Sequence, residues 1–211
     1  QSIIDQNIPE YEIFIVGSST DWSVLHPNVY YMPFDESVKR GWITKKKNLI
    51  TKNAEYDILV YLHDYIVLNK DWYNGVWGFT NNWDIMCTPV INPDGSPFRS
   101  LCYWDKPGLG RNWNCKESWC GPNGINFEGS PHFVKNFENF DQSRCYINGS
   151  YWVARKKVME GYPLNEDLSW GSGEDAEFSI RVRDKCKIVY NDWASVTLLK
   201  YKNLGIPTCY G

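Results

Sequence analysis

The chain has 211 residues, with 22 Lys+Arg against 25 Asp+Glu and a net charge of −3. A domain of this length buries roughly 70–75% of its unfolded surface, so it needs neither disulfides nor a metal to hold a core. There is no basic excess to suit nucleic acid or an anionic membrane, and no apolar run near the roughly 18 residues of a membrane span. The first residues lack the basic-then-apolar order of a signal peptide. The chain reads as one soluble, cytoplasmic domain over 1–211. Seven Cys without a CxxC pair read as free thiols of a reducing compartment.

Taken in chain order, Glu12 to Val16 is a short apolar run ending in Gly17-Ser18-Ser19, which predicts a buried strand entering a polar turn. Lys39 to Asn53 is basic and helix-compatible, with Ile43, Leu49 and Ile50 for an inward face. Asp57 to Leu62 predicts a second buried strand, stopped by His63 and Asp64, and Ile85 to Val90 a third. From Asn92 to Pro131 the chain is rich in Gly, Pro and Trp and has no periodicity, which predicts a long functional loop. A strand is expected near Tyr146 to Ala154, a helix over Glu174 to Lys185, a strand at Lys187 to Tyr190, and then a polar tail. Strands apolar on both faces and alternating with helices predict an α/β fold with a mostly parallel central sheet flanked by helices. Ligands of such sheets collect at the carboxyl ends of the strands, where Ser18 and Asp64 fall.

The composition holds 11 Trp, 14 Tyr and 9 Phe. Trp suits stacking on sugars and bases as well as core packing, so both readings stay open on composition alone. The sharpest local signal is Trp170 to Arg181, WGSGEDAEFSIR. Its glycines let a backbone approach a ligand, and Glu174 and Asp175 then open a helix whose dipole favours their ionised forms. That is either an acid-stabilised helix start or a carboxylate held as general base beside an aromatic wall. Asp64, just past a buried strand, either caps a turn or gives an oxygen ligand to a divalent ion on a diphosphate.

In this order the segments resemble the nucleotide-sugar-dependent glycosyltransferases of the GT-A fold, most like family 2. Ser2 to Gln6 and Glu12 to Asp21 are similar to the family's opening, Ala54 to Tyr65 to its approach to the DXD motif, and Asn148-Gly149-Ser150 to its acceptor-side segment. Trp170 to Arg181 resembles its "WG.GEDxE.S.R" motif. The resemblance implies a GT-A α/β fold and an inverting, Mn2+- or Mg2+-dependent sugar transfer. The donor is a nucleotide-sugar, UDP-linked, and the acceptor a saccharide or glycoprotein hydroxyl. It makes Asp175 the catalytic base and places Glu174 and Trp170 on the acceptor. Asp64 falls on the metal, and His63, Lys47 and Ser18 on the nucleotide. The family's paired metal carboxylates reduce to Asp64 here, Ser18 stands where a uracil-reading Asp usually lies, and the family's first strand would precede Gln1. Two alternatives share some of these features. A carbohydrate-binding module would have the aromatics without needing a Gly-Glu-Asp helix start, and a nucleotidyltransferase would add a Gly-rich, basic phosphate loop.

Overall fold

The computed structural model describes residues 1–17, 26–103, 132–133, 142–169 and 171–202. After a 3-10 turn at Ile4–Gln6 come β1 (Ile13–Gly17), β2 (Val29–Pro33), α1 (Ile43–Asn53), β3 (Ile58–Leu62), β4 (Ile66–Leu68) and α2 (Trp72–Trp77). Then follow β5 (Ile85–Cys87), β6 (Val90–Ile91), β7 (Pro97–Phe98), β8 (Leu101–Tyr103) and β9 (His132–Phe133). The last group is β10 (Cys145–Ile147), β11 (Tyr151–Arg155), α3 (Lys156–Gly161), α4 (Glu174–Val182), β12 (Ile188–Tyr190) and β13 (Val196–Leu198).

The central sheet has the order β12-β5-β11-β3 and is mixed, which corrects the expectation of a mostly parallel one. β12 lies parallel to β5, whereas β11 runs antiparallel to both β5 and β3. The reason is where β11 enters. Tyr151 pairs with Leu62, so β11 starts at the carboxyl end of β3 and can only run back along it. A continuous apolar run reports burial on both faces and says nothing of strand direction. β11 shows that burial plainly. Trp152 and Ala154 face one apolar cluster with Phe178, Val182 and Met159, while Tyr151 and Val153 face another with Trp72, Met86 and Val196.

Two predicted strands are each divided. Ile85 to Val90 splits at Thr88-Pro89 into β5 and β6, which belong to different sheets. Proline has no N–H to give a ladder, so the chain changes sheets there. Tyr146 to Ala154 splits at Asn148-Gly149-Ser150, which becomes the turn between β10 and β11. The predicted loop 92–131 is ordered at its start, where Asp94-Gly95 turns β6 into β7 and β8 follows. Its remainder, apart from the chain to Tyr103, lies outside the described residues. The second sheet, β4-β13-β6-β7, takes the predicted polar tail as β13. The four cysteines at 87, 102, 145 and 186 are buried thiols. No helix among the described residues is long and apolar enough to cross a membrane.

Candidate active site

The carboxyl end of β3, the β10–β11 turn, the start of α4, the middle of α1 and the segment after β13 converge on one place. α4 opens at Gly173, whose φ of +75° belongs to the left-handed region that favours glycine. Its first turn holds Glu174, Asp175 and Glu177. Asp175 is fixed by two peptide groups: Oδ2 accepts the Gly149 N–H at 2.9 Å, and Oδ1 accepts the Ala176 N–H at 2.8 Å. A Cβ at position 149 would stand 3.1 Å from the Asp175 Cβ, so the turn needs glycine to come this close. The Ser179 hydroxyl donates to the Asp175 carbonyl at 2.6 Å and accepts the Ile147 N–H at 2.9 Å, which docks α4 on β10.

Lys47 meets the other backbone polar group of the same glycine. Its Nζ donates to the Gly149 carbonyl at 2.5 Å, sits 4.0 Å from the Trp152 ring centroid, and the residue is only 4% exposed. Gly149 therefore accepts from an ammonium and donates to a carboxylate. Burial lowers the Lys47 pKa, and Glu174 and Asp175 oppose that loss. Burial, then the neighbouring Asp175, pushes Glu174 up from the ordinary carboxylate range, and Glu174 is 8% exposed. Burial raises Asp175 as well, against the pull of the Gly149 and Ala176 N–H groups and of Lys47. A carboxylate with a raised pKa is a stronger base than an exposed one.

At the end of β3, His63 continues the ladder by donating its N–H to the Ser150 carbonyl at 3.1 Å. Its Nδ1 shares a hydrogen bond with the Tyr65 hydroxyl at 2.8 Å, and its ring meets Tyr65 edge-on. Burial, with Lys47, Lys202 and Lys46 nearby, pushes the imidazole down to about 3, so it is neutral. Its Nε2 is buried with no partner among the described residues. Asp64 is exposed. Tyr65 is pushed up to about 12 by burial and by the charges of Asp64 and Glu174. Lys202 stands over the Tyr65 ring, 3.8 Å from its centroid, and Lys200 is 5.0 Å away.

Five of the residues singled out in the sequence thus meet: Asp175, Glu174, Lys47, His63 and Asp64. Lys47 points inward to Gly149. Ser18 and Trp170 fall outside the described residues. Sequence reasoning gave no role of their own to Gly149, Tyr65 or Lys202. A glycine between two apolar runs was the one available signal for the first; the others depend on pairing across the second sheet.

Among the described residues no group of three or more His, Cys, Asp or Glu could hold a metal alone. The exposed Asp64 carboxylate next to a neutral imidazole whose Nε2 has no partner among the described residues nevertheless suits a divalent ion that takes its other oxygens from a diphosphate.

No family model and no curated protein matches the chain. Among solved structures it is similar to GalNAc-T7 crystallised with UDP, GalNAc and Mn2+, at TM-score 0.60 and 15% identity over 95% of this chain and 40% of that one. It is also similar to S. aureus TarS 1–349 (TM-score 0.58, 15% identity, 92% of this chain and 54% of that one). The same holds for TarS 1–349 in complex with UDP-GlcNAc (0.58, 14%, 96% and 54%). The chain thus spans about half or less of these relatives' length. At such identities the likeness concerns the fold, and that fold is GT-A: a Rossmann-like α/β domain built here on mixed sheets.

Proposed function

We propose that this domain transfers a sugar, with inversion, from a nucleotide diphosphate donor (UDP-linked) to a saccharide hydroxyl. The observation that carries the reading is the Asp175 carboxylate, held by two peptide N–H groups and raised by burial beside the strand end that bears His63 and Asp64. In the reaction the acceptor oxygen attacks the anomeric carbon and Asp175 takes the hydroxyl proton. The bond from that carbon to the phosphate oxygen breaks, and its electron pair leaves with the nucleoside diphosphate. Glu174 borders the same space and binds the acceptor. His63, neutral and with Nε2 unpartnered, contacts the donor nucleotide. A Mg2+ or Mn2+ ion held by Asp64 would offset charge on the departing phosphate. Trp170 on the acceptor and Ser18 on the base complete the reading. The structures of GalNAc-T7 with UDP and of TarS with UDP-GlcNAc support a uridine donor by fold alone.

A thermal-shift series tests the donor, because a ligand that binds only the native state raises its stability by RT ln(1 + [L]/Kd). UDP should stabilise the protein more than GDP or dTDP. Absence of any shift with all three, with and without Mn2+, would remove the nucleotide-sugar reading.

A further inference from the structure

The chain after β13 passes the end of β3 for a structural reason. β13 pairs antiparallel with β4, Leu198 opposite Ile66, and the Leu199 N–H continues the ladder to the Tyr65 carbonyl at 2.7 Å. This register carries Lys200 and Lys202 back alongside Tyr65 and Asp64. The main chain of Lys202 is then locked by Asn92, which is 2% exposed. The Lys202 N–H donates to Asn92 Oδ1 at 2.9 Å, and Asn92 Nδ2 donates to the Lys202 carbonyl at 3.1 Å. The Lys202 ammonium rests on the Tyr65 ring at 3.8 Å and lies 5.8 Å from that of Phe98. It makes no ion pair among the described residues, although Asp64 attracts it. An ammonium placed by a buried amide and an aromatic face, yet without a carboxylate partner among the described residues, is a cation held ready for an anion.

We propose that Lys202, with Lys200 beside it, is a ligand for the donor's diphosphate and holds a nucleoside diphosphate without a divalent ion. This rests on the nucleotide-sugar reading above. A diphosphate brings at least two negative charges to a strand end where Asp64 is the one exposed carboxylate among the described residues of the site. Lysine binds phosphate oxygens as a point charge through its three N–H donors, and such charged hydrogen bonds are among the strong ones. Tyr65 keeps the flexible stem in place, which lowers the entropy lost on binding.

The test is calorimetric titration of the full chain with UDP, GDP, dTDP and inorganic pyrophosphate, in EDTA and in Mn2+. Wild type should bind UDP and pyrophosphate in EDTA. Lys202→Met should weaken both by about 10–100-fold there, while Lys202→Arg keeps most of the affinity. Lys202 is half-buried, and an unchanged melting temperature of the variant shows that its fold survives. Equal affinity of Lys202→Met and wild type in EDTA would overturn the proposal, as would wild-type binding that appears only with Mn2+. If wild type binds no nucleotide in either condition, the functional reading falls first, and that result is visible without any variant.

Discussion

Asp175 and Asp64 are carboxylates in the same site, yet they are treated in opposite ways. Asp175 has both oxygens committed to peptide N–H groups and a pKa raised by burial, and it lies close against the Gly149 turn, where an added Cβ would stand 3.1 Å from its own. Asp64 is exposed, and the cations near it are the ammonium groups of Lys200 and Lys202 over the Tyr65 ring. The difference is that between positioning and attraction. A base must stand within hydrogen-bond reach of one proton, so its backbone fixes it. A diphosphate is met by charge from several directions, so it needs point charges near it rather than one oxygen aimed at one proton.

The largest expected effect that would break this comparison comes from Asp175→Asn. Transfer with donor and acceptor both saturating should fall about 10²–10⁴-fold, the worth of a general base. Two N–H groups point at the carboxylate, and an amide offers one oxygen, so we expect a loss of about 1–3 kcal/mol in denaturant unfolding. Undiminished turnover would strip Asp175 of its role.

Lys47→Met should come next. It leaves the Gly149 carbonyl and two carboxylates without their cation, which costs about 3–5 kcal/mol as for a broken buried charge set. The sign with pH follows from the carboxyls. Lys47 lowers both Glu174 and Asp175, so without it their pKa values rise further. A carboxyl with a raised folded pKa keeps its proton longer than in the unfolded chain. Its contribution to stability is lost as pH rises from the ordinary carboxylate range through the folded value. The variant should therefore be closer to wild type at pH 5 than at pH 8. The acid limb of transfer, expected in wild type above the ordinary carboxylate range because burial raises both carboxyls, should move to higher pH. An unmoved limb would mean that Lys47 does not act on the pair.

Gly149→Ala sharpens the point about geometry. The new methyl contacts Asp175 at 3.1 Å and forces a shift of a few tenths of an ångström. Stability should fall by about 1–3 kcal/mol, as for overpacking, with transfer reduced more than donor binding. Equal losses in both would place the turn outside the acceptor half. The smallest effect on the fold is expected from Asp64→Ala, within about 0.5 kcal/mol because the side chain is exposed. The same variant should lose the Mn2+-dependent part of nucleotide affinity. Calorimetry showing unchanged affinity in Mn2+ would point to another metal ligand.

The apolar runs were legible as strands because they show no polar alternation to confuse the reading: Ile13–Gly17, Ile58–Leu62 and Ile188–Tyr190 are strands as expected, although Ile13–Gly17 is half-buried in a two-stranded sheet rather than buried. So was the start of α4 at Glu174, since glycine followed by acids suits a helix start whatever surrounds it. The aromatic excess was ambiguous and remains divided in the fold. Trp72, Trp83 and Trp152 are core, whereas Trp77 and Trp193 stand 68% and 65% exposed. Strand direction, the division of Tyr146–Ala154 around Gly149 and the return of Lys202 to Tyr65 depended on pairings between residues 42 to 132 positions apart. Lys47 shows the same limit. Its charge was visible in the sequence, but its direction was set by a carbonyl 102 positions away. Local preference acts within a few residues and can name the groups that will carry charge. Which of them meet, and which oxygen each one faces, is decided only when distant strands close.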